Sequence, residues 1–179
     1  FKKSYSFSLP KSHTPRNYMS NLFWLKKSLK SDGLLIWNNA HIAYLLNIRS
    51  FELENSTKPF AGLFIFKGNK KPIIISNNKF LNRIVKIKNK FHVMTEKIFI
   101  NYINMQKIKS IELDYKYTNL KIFLSLIKLC KIQNSKINLE KFISKKTTVE
   151  FNNISLAHKE DGLSLTKFII KIKINKVSY

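Results

Sequence analysis

The stretch "SDGLLIWNNAHIAYLLNIRS" (residues 31–50) decides the fold. It opens on a polar stop, Ser31-Asp32-Gly33, and runs into the apolar "LLIW" (34–37). A run that short, bounded by turn residues, is of strand length. Asn38 or Asn39 then supplies an N-cap, because a side-chain amide oxygen accepts from the free N–H groups of a first helical turn. "AHIAYLLN" follows as a compact apolar helix. Strand, turn and helix in that order are the building block of an α/β layer. The stretch closes on Asn47-Ile48-Arg49, and Arg49 is out of character. The chain holds 33 Lys+Arg, yet Arg16, Arg49 and Arg83 are its only arginines. An arginine kept where lysine is the default points to a planar hydrogen-bonding role at the helix exit, or to a cleft.

Working toward the N-terminus, "SLPKSHTPR" carries prolines and polar residues, so residues 1–16 read as an extended lead-in or interdomain linker. A helix is expected from Asn17 to Lys30, with Leu22, Phe23, Leu25 and Leu29 on one side and Lys26, Lys27 and Lys30 mainly on the other. Toward the C-terminus, "PFAGLFIFKG" (59–68) and "PIIIS" (72–76) form a β-hairpin pattern around "GNKK". "NNKFLNRIVKIK" (77–88) returns to helical spacing, and "FHVMT" (91–95) is of strand type. An amphipathic helix "EKIFINYINMQ", a strand "SIELD", a strong helix "YTNLKIFLSLIKLC" and a short one "NLEKFISKK" follow. Thr147 and Glu150 have capping-box spacing, which starts a long helix reaching about Ile174. Gly162 inside it costs about 1 kcal/mol against alanine. The alternation predicts an α/β fold: a mixed, largely parallel sheet with helices on both faces, ending in a long linker helix. The domain reading is lead-in 1–16, α/β domain 17–146 and long helix 147–179.

Composition sets limits. The chain has 179 residues with 44% apolar and 13% aromatic content, which suits a folded core. A single cysteine, Cys130, excludes an internal disulfide framework and a cysteine-based zinc site, and reads as a core thiol. No apolar stretch reaches the roughly 18 residues of a membrane span, and no signal-peptide pattern opens the chain. A cytoplasmic location is the default expectation. The chain begins at Phe1, which predicts a processed N-terminus or a fragment. The net charge of +23 suggests nucleic acid or an anionic membrane surface. Its lysines are spread evenly, however, and keep company with abundant Asn and Ile, the pattern of A/T-rich codons. Binders of nucleic acid usually keep arginine for bidentate contacts, so no specific nucleic-acid partner and no membrane partner is expected.

The search for chemistry is short. None of Gly33, Gly62, Gly68 and Gly162 forms a phosphate-binding loop. His13, His41, His92 and His158 are far apart, and only "HKED" (158–161) groups metal-ligating residue types. His158 and Asp161 are three apart on a helix and share a face, which is two ligands and not a metal site. Glu52 and Glu54 read as a polar loop rather than an acid–base pair. His41, in a first helical turn, reads as structural; Trp24 and Trp37 read as core. The residues show no self-sufficient catalytic constellation.

The motifs resemble the second domain of Xaa-Pro aminopeptidases (aminopeptidase P), in the creatinase/prolidase superfamily. Asp32-Gly33-Leu34-Leu35-Ile36 is similar to the family's strand of the type "DALLV". Residues 42–49 are similar to its "IAWLLNLR" helix and exit. "PFAGLFIF" sits where the outgoing strand lies, and "SIELDYKYTNLKIF" resembles "WLDP…YAL". "TTVEFNNISLAHKEDGLSLTKFI" is similar to "NPTELEGMRNAHIRDGVALVRFL", with Glu150, Ala157, His158, Asp161, Gly162, Leu165 and Phe168 agreeing in place. The likeness runs from about residue 17 to Tyr179. Departures are Ser50 for the family's glycine, "NSTKPF" for its "NPVF" loop, and Lys146-Thr147 for its Asn-Pro.

The resemblance implies a noncatalytic N-terminal-type domain of a metallo-aminopeptidase that releases a residue preceding proline. It also implies a fragment or truncated gene product. The family's catalytic domain supplies two Asp, one His and two Glu for two divalent metal ions, manganese in the usual case. No residue here matches them, so neither catalytic nor metal residues are expected in this chain. The implied partners are that catalytic domain, a second copy in a full-length homodimer, and proline-containing peptides as the parent substrate. Asn47, Arg49, His158 and Asp161 are the candidate cleft-facing or structural residues. The alternatives are a free-standing scaffold or binding module and, behind it, a basic nucleic-acid-binding protein.

Overall fold

A computed structural model describes residues 6–10, 12–14, 16–51, 55–76 and 89–175. The helical spacing of 77–88 and the Glu52/Glu54 loop lie outside the described residues. Strand β1 (Ser6–Ser8) is followed by α1 (Tyr18–Ser28), β2 (Gly33–Ile36), α2 (Asn39–Leu46) and β3 (Ile48–Ser50). Next come β4 (Gly62–Phe66), β5 (Ile73–Ile75), β6 (His92–Met94), α3 (Glu96–Met105) and β7 (Ser110–Leu113). The chain continues through α4 (Leu120–Leu126), β8 (Lys131–Asn134), α5 (Leu139–Ser144) and α6 (Thr148–Asn175).

Six strands form one sheet in the order β6-β5-β4-β2-β7-β8. β4 pairs antiparallel with both β2 and β5, and the other three pairings are parallel. β4 alone therefore runs against the rest. The sheet is mixed and largely parallel, as the sequence leads one to expect. Its central strands are buried on both faces, which is why "GLLI" and "GLFIF" are continuous apolar runs. Alternate residues feed two cores. Leu34, Ile36, Leu63 and Ile65 pack with α1 and α2, while Leu35, Phe64, Phe66 and Leu113 pack with α3 and α4. Phe142 of α5 leans on the first core, so helices cover both faces.

Local chemistry starts the helices where expected. Asn17, Asn38, Thr95, Asn119 and Asn138 each accept backbone N–H bonds as N-caps of α1 to α5. The capping box at α6 is reciprocal. Glu150 Oε2 accepts from Thr147 N at 2.8 Å, and Thr147 Oγ1 accepts from Glu150 N at 3.3 Å.

Three short strands escape the sequence reading. β1 lies inside the lead-in and pairs antiparallel with β3, Phe7 opposite Arg49. β8 takes the residues just after a helix that is shorter than its pattern suggests, ending at Leu126. Cys130, at that junction, is half-buried rather than deep in the core; its Sγ donates to Leu126 O at 3.6 Å. The lead-in also touches α6 and the connection that leads into it. Arg16 Nη2 donates to Lys145 O at 3.1 Å, and Asn153 Nδ2 donates to Ser12 O at 3.0 Å.

Two glycines are dictated by close approach. A Cβ on Gly33 would lie 2.3 Å from Phe64 Cζ, and one on Gly62 would lie 2.3 Å from Trp37 Cζ3. Phe64 is fully buried and cannot yield, whereas Trp37 is partly exposed and can. Gly33→Ala is therefore expected to cost about 3 kcal/mol and Gly62→Ala about 1 kcal/mol, both read from urea denaturation midpoints. The reverse order would place the tighter packing at Trp37.

Candidate functional site

Two candidate residues sit at the α2 exit. Asn47 has φ 53° and ψ 40°, the left-handed conformation that asparagine tolerates and that ends helices. Its Nδ2 donates to Arg16 O at 2.6 Å, and its carbonyl accepts from Leu9 N at 2.9 Å. Arg49 follows in β3, half-buried. Its Nη1 donates to Ile48 O at 2.9 Å and to Ala43 O at 3.3 Å. The guanidinium thus ties a carbonyl in the last turn of α2 to the start of β3, and burial pulls its pKa below the usual value. Both bonds run from one nitrogen of a planar, half-buried guanidinium, a setting the more strongly hydrated ammonium of lysine suits less well. Arg49→Lys is expected to cost about 1 kcal/mol, or roughly 3 °C in Tm. An unchanged Tm would assign Arg49 to a cleft.

The other two candidates, His158 and Asp161, lie midway along α6, where every residue from Leu156 to Lys171 is exposed. Neither side chain makes a hydrogen bond or ion pair with another described residue. The four candidates therefore do not converge. Among the described residues no three His, Cys, Asp or Glu side chains gather to hold a metal ion.

A different place collects polar groups. From β2 the sheet grows outward through β4, β5 and β6, then restarts at β7 on the other side of β2 and continues to β8. The parallel neighbours β2 and β7 are thus a switch point. The helix after β2 packs on one face and the helix after β7 on the other. Their diverging connections leave a crevice outside the carboxyl ends of the strands, the usual position of a ligand site in an open α/β sheet. A cleft of about 330 Å³ occupies it. Its walls include Trp37 from the β2–α2 connection, His41 in the first turn of α2, Asp114, Lys116 and Tyr117 after β7, Lys136 after β8, and Glu140 at the start of α5.

His41 is 7% exposed. Its ring stands edge-on to Tyr117, centroids 5.7 Å apart. Burial lowers the imidazole pKa, with Glu140 and Asp114 opposing. Tyr117 donates its hydroxyl to Glu140 Oε1 at 2.9 Å. The sequence reads His41 as structural, gives Asp114 only as the last residue of the strand "SIELD", and does not single out Tyr117 or Glu140. The available signal was Asp114 at the C-terminal end of a predicted parallel strand.

No protein-family model matches the chain, and no curated protein matches it in sequence. Solved structures do. An X-prolyl aminopeptidase from Caenorhabditis elegans, a cytosolic enzyme with a di-nuclear active site, is similar over 95% of this chain, with TM-score 0.79 and 16% identity. The N-terminal domain of the cytoplasmic peptidase PepQ from Mycobacterium tuberculosis H37Rv is similar over 69% of this chain and 96% of its own, with TM-score 0.50 and 8% identity. The fold is the creatinase/prolidase N-terminal fold.

An Xaa-Pro dipeptidase from Bacillus anthracis shares it, with TM-score 0.60, 16% identity and 83% of this chain covered. This chain spans 29% of the nematode enzyme and 44% of the Bacillus one. The creatinase/prolidase N-terminal fold accounts for the mixed sheet and its helices on both faces. No described helix is long and apolar enough to cross a membrane.

Proposed function

We propose that this chain is a noncatalytic N-terminal-type domain of a metal-dependent Xaa-Pro aminopeptidase. The carrying observation is the reach of the likeness to the nematode enzyme. At 95% of the chain it takes in both the α/β body and the long helix α6. α6 supports the same reading. It spans 28 residues, about 42 Å, with Phe151, Ile154, Leu163, Leu165, Phe168 and Ile170 exposed. Apolar side chains displayed along a helix favour contact with a further protein body.

In this reading that body is a catalytic domain of the same parent protein, and the α/β layer narrows the entrance to its active site. Release of a residue preceding proline then belongs to the catalytic domain, with its two divalent metal ions, manganese in the resembling family, and its two Asp, one His and two Glu. No described residue of this chain is assigned to the metals, because their ligand types do not cluster here. A homodimer of the full-length enzyme and a cytoplasmic location belong to the same proposal, as does the division into residues 1–16, 17–146 and 147–179.

Sequencing the native transcript tests it. The expected result is an in-frame continuation past Tyr179 that encodes the two Asp, the His and the two Glu. A stop codon directly after Tyr179, with no aminopeptidase domain co-purifying, would overturn it. A second measurement tests the noncatalytic role. The purified chain, given manganese and an Xaa-Pro peptide, is expected to show no turnover.

A further inference from the structure

We infer that the root of α6 is a two-position clasp. Hydrogen bonds from the lead-in hold the helix where it stands, two buried polar groups oppose them, and the helix swings about Lys145–Thr147 when the bonds part. This inference concerns contacts within the chain and does not depend on a catalytic domain.

Attachment is the first argument. No described residue of α6 is buried, and none joins either core. A helix on an α/β layer is ordinarily fixed by an apolar stripe pressed into that layer. The hydrogen bonds that tie α6 to the lead-in lie at one end instead. Asn153 Nδ2 donates to Ser12 O at 3.0 Å, and Arg16 Nη2 donates to Lys145 O at 3.1 Å, just ahead of the helix. Both bonds are exposed, so water replaces either one when it parts.

The opposing groups are the second argument. Arg16 Nη1 and Tyr44 Oη are buried and have no hydrogen-bond partner among the described residues. Buried polar groups are nearly always bonded, so two at one junction disfavour the closed arrangement. They lie together. Tyr44 Oη is near enough to Glu150 and Arg16 for both to act on its pKa, without the geometry of a hydrogen bond to either. Burial raises that pKa first, Glu150 raises it further and Arg16 opposes. Glu150 is committed to its own helix, its Oε2 accepting from Thr147 N and Thr147 Oγ1 at 2.8 Å each. Rings close the junction. Arg16 Cζ lies 5.1 Å from the Phe142 ring centroid, and Lys146 Nζ lies 5.5 Å from that of Tyr44. Parting the lead-in from α6 lets water reach both unpartnered atoms, which offsets the bonds given up. Holding and opposing contributions thus meet in a few residues, as a two-position element requires.

Double electron–electron resonance on the full 179-residue chain tests the inference. Spin labels are placed at Lys97→Cys in α3 and Lys167→Cys in α6, both exposed positions, with Cys130→Ser removing the native thiol. One dominant distance is expected. Asn153→Ala cuts the bond to Ser12, while alanine favours the helix itself. A second distance is then expected to grow at least roughly threefold in population. Adding Tyr44→Phe removes an opposing hydroxyl and is expected to lower that second population again by at least roughly threefold. A labelled chain with no dominant distance, an unchanged distribution in Asn153→Ala, or a second population that Tyr44→Phe leaves alone or raises would each overturn it. If the Tyr44→Phe variant does not fold, Asn153→Ala on its own still decides.

Discussion

Phe64→Ala is expected to lower the stability of this chain by about 3–5 kcal/mol. Phe64 sits mid-strand in β4, the one reversed strand, and is fully buried. Its ring meets Phe66 edge-on at 4.9 Å and Phe99 of α3 at 5.3 Å. Behind it lies Gly33, whose missing side chain makes room for the ring. Truncation removes the aromatic contacts and opens a void walled by sheet backbone. Strand backbone is held by its ladder and cannot fall inward, so the cavity persists and the cost sits high in the range. Urea denaturation should show a lower midpoint with unchanged slope. A loss below about 1.5 kcal/mol would mean that α3 does not rest on this ring.

Glu112→Ala is the second large effect, about 2–5 kcal/mol, for a polar reason. Glu112 is 6% exposed in β7. One carboxylate oxygen accepts from Lys30 N at 2.9 Å and Ser31 N at 3.0 Å, and the other from Ser135 Oγ at 3.4 Å. It thereby ties the α1–β2 turn to β7 and to the loop after β8. Alanine strands two backbone donors away from water, and each costs about 1–3 kcal/mol. Glu112→Gln keeps an acceptor of the same shape and loses only the charge assistance, so its cost should be about 1 kcal/mol. Thermal melts of the two variants separate these. Equal losses would show that charge, not the acceptor, holds the turn.

Much of the fold is legible in the sequence, and the reason is local. "LLIW" followed by an asparagine cap, the apolar hairpin, and the Thr147–Glu150 box each carry their signal within a few neighbours. β1, β3 and β8 do not. Each has only 3 or 4 residues, and "KIQN" is largely exposed, so an edge strand of that kind shows no alternation. Only pairing with Ile48–Ser50 makes a strand of Ser6–Ser8. Asp32 reads as a helix stop, yet its Oδ2 accepts from Lys109 N at 2.9 Å and Ser110 N at 3.0 Å, partners brought close by the parallel β2–β7 pairing. The cleft is the extreme case. His41, Asp114 and Glu140 come from the start of α2, the loop after β7 and the start of α5, and nothing near any one of them names the others. Strand order is what gathers them.

The two bonds at the root of α6 have a mechanical meaning. Ser12 accepts from Asn153 near its start and Arg16 holds the carbonyl of Lys145 just ahead of it, while the carbonyl of Arg16 is itself held by Asn47 at the end of α2. The lead-in acts as a stay on a mast. With a lever of about 42 Å, a tilt of roughly 5° at the base swings the tip by about 4 Å, more than the tolerance of a packed contact. The aim of the far end of α6 is thus decided some 150 residues earlier in the chain, by a segment that composition alone would dismiss as slack.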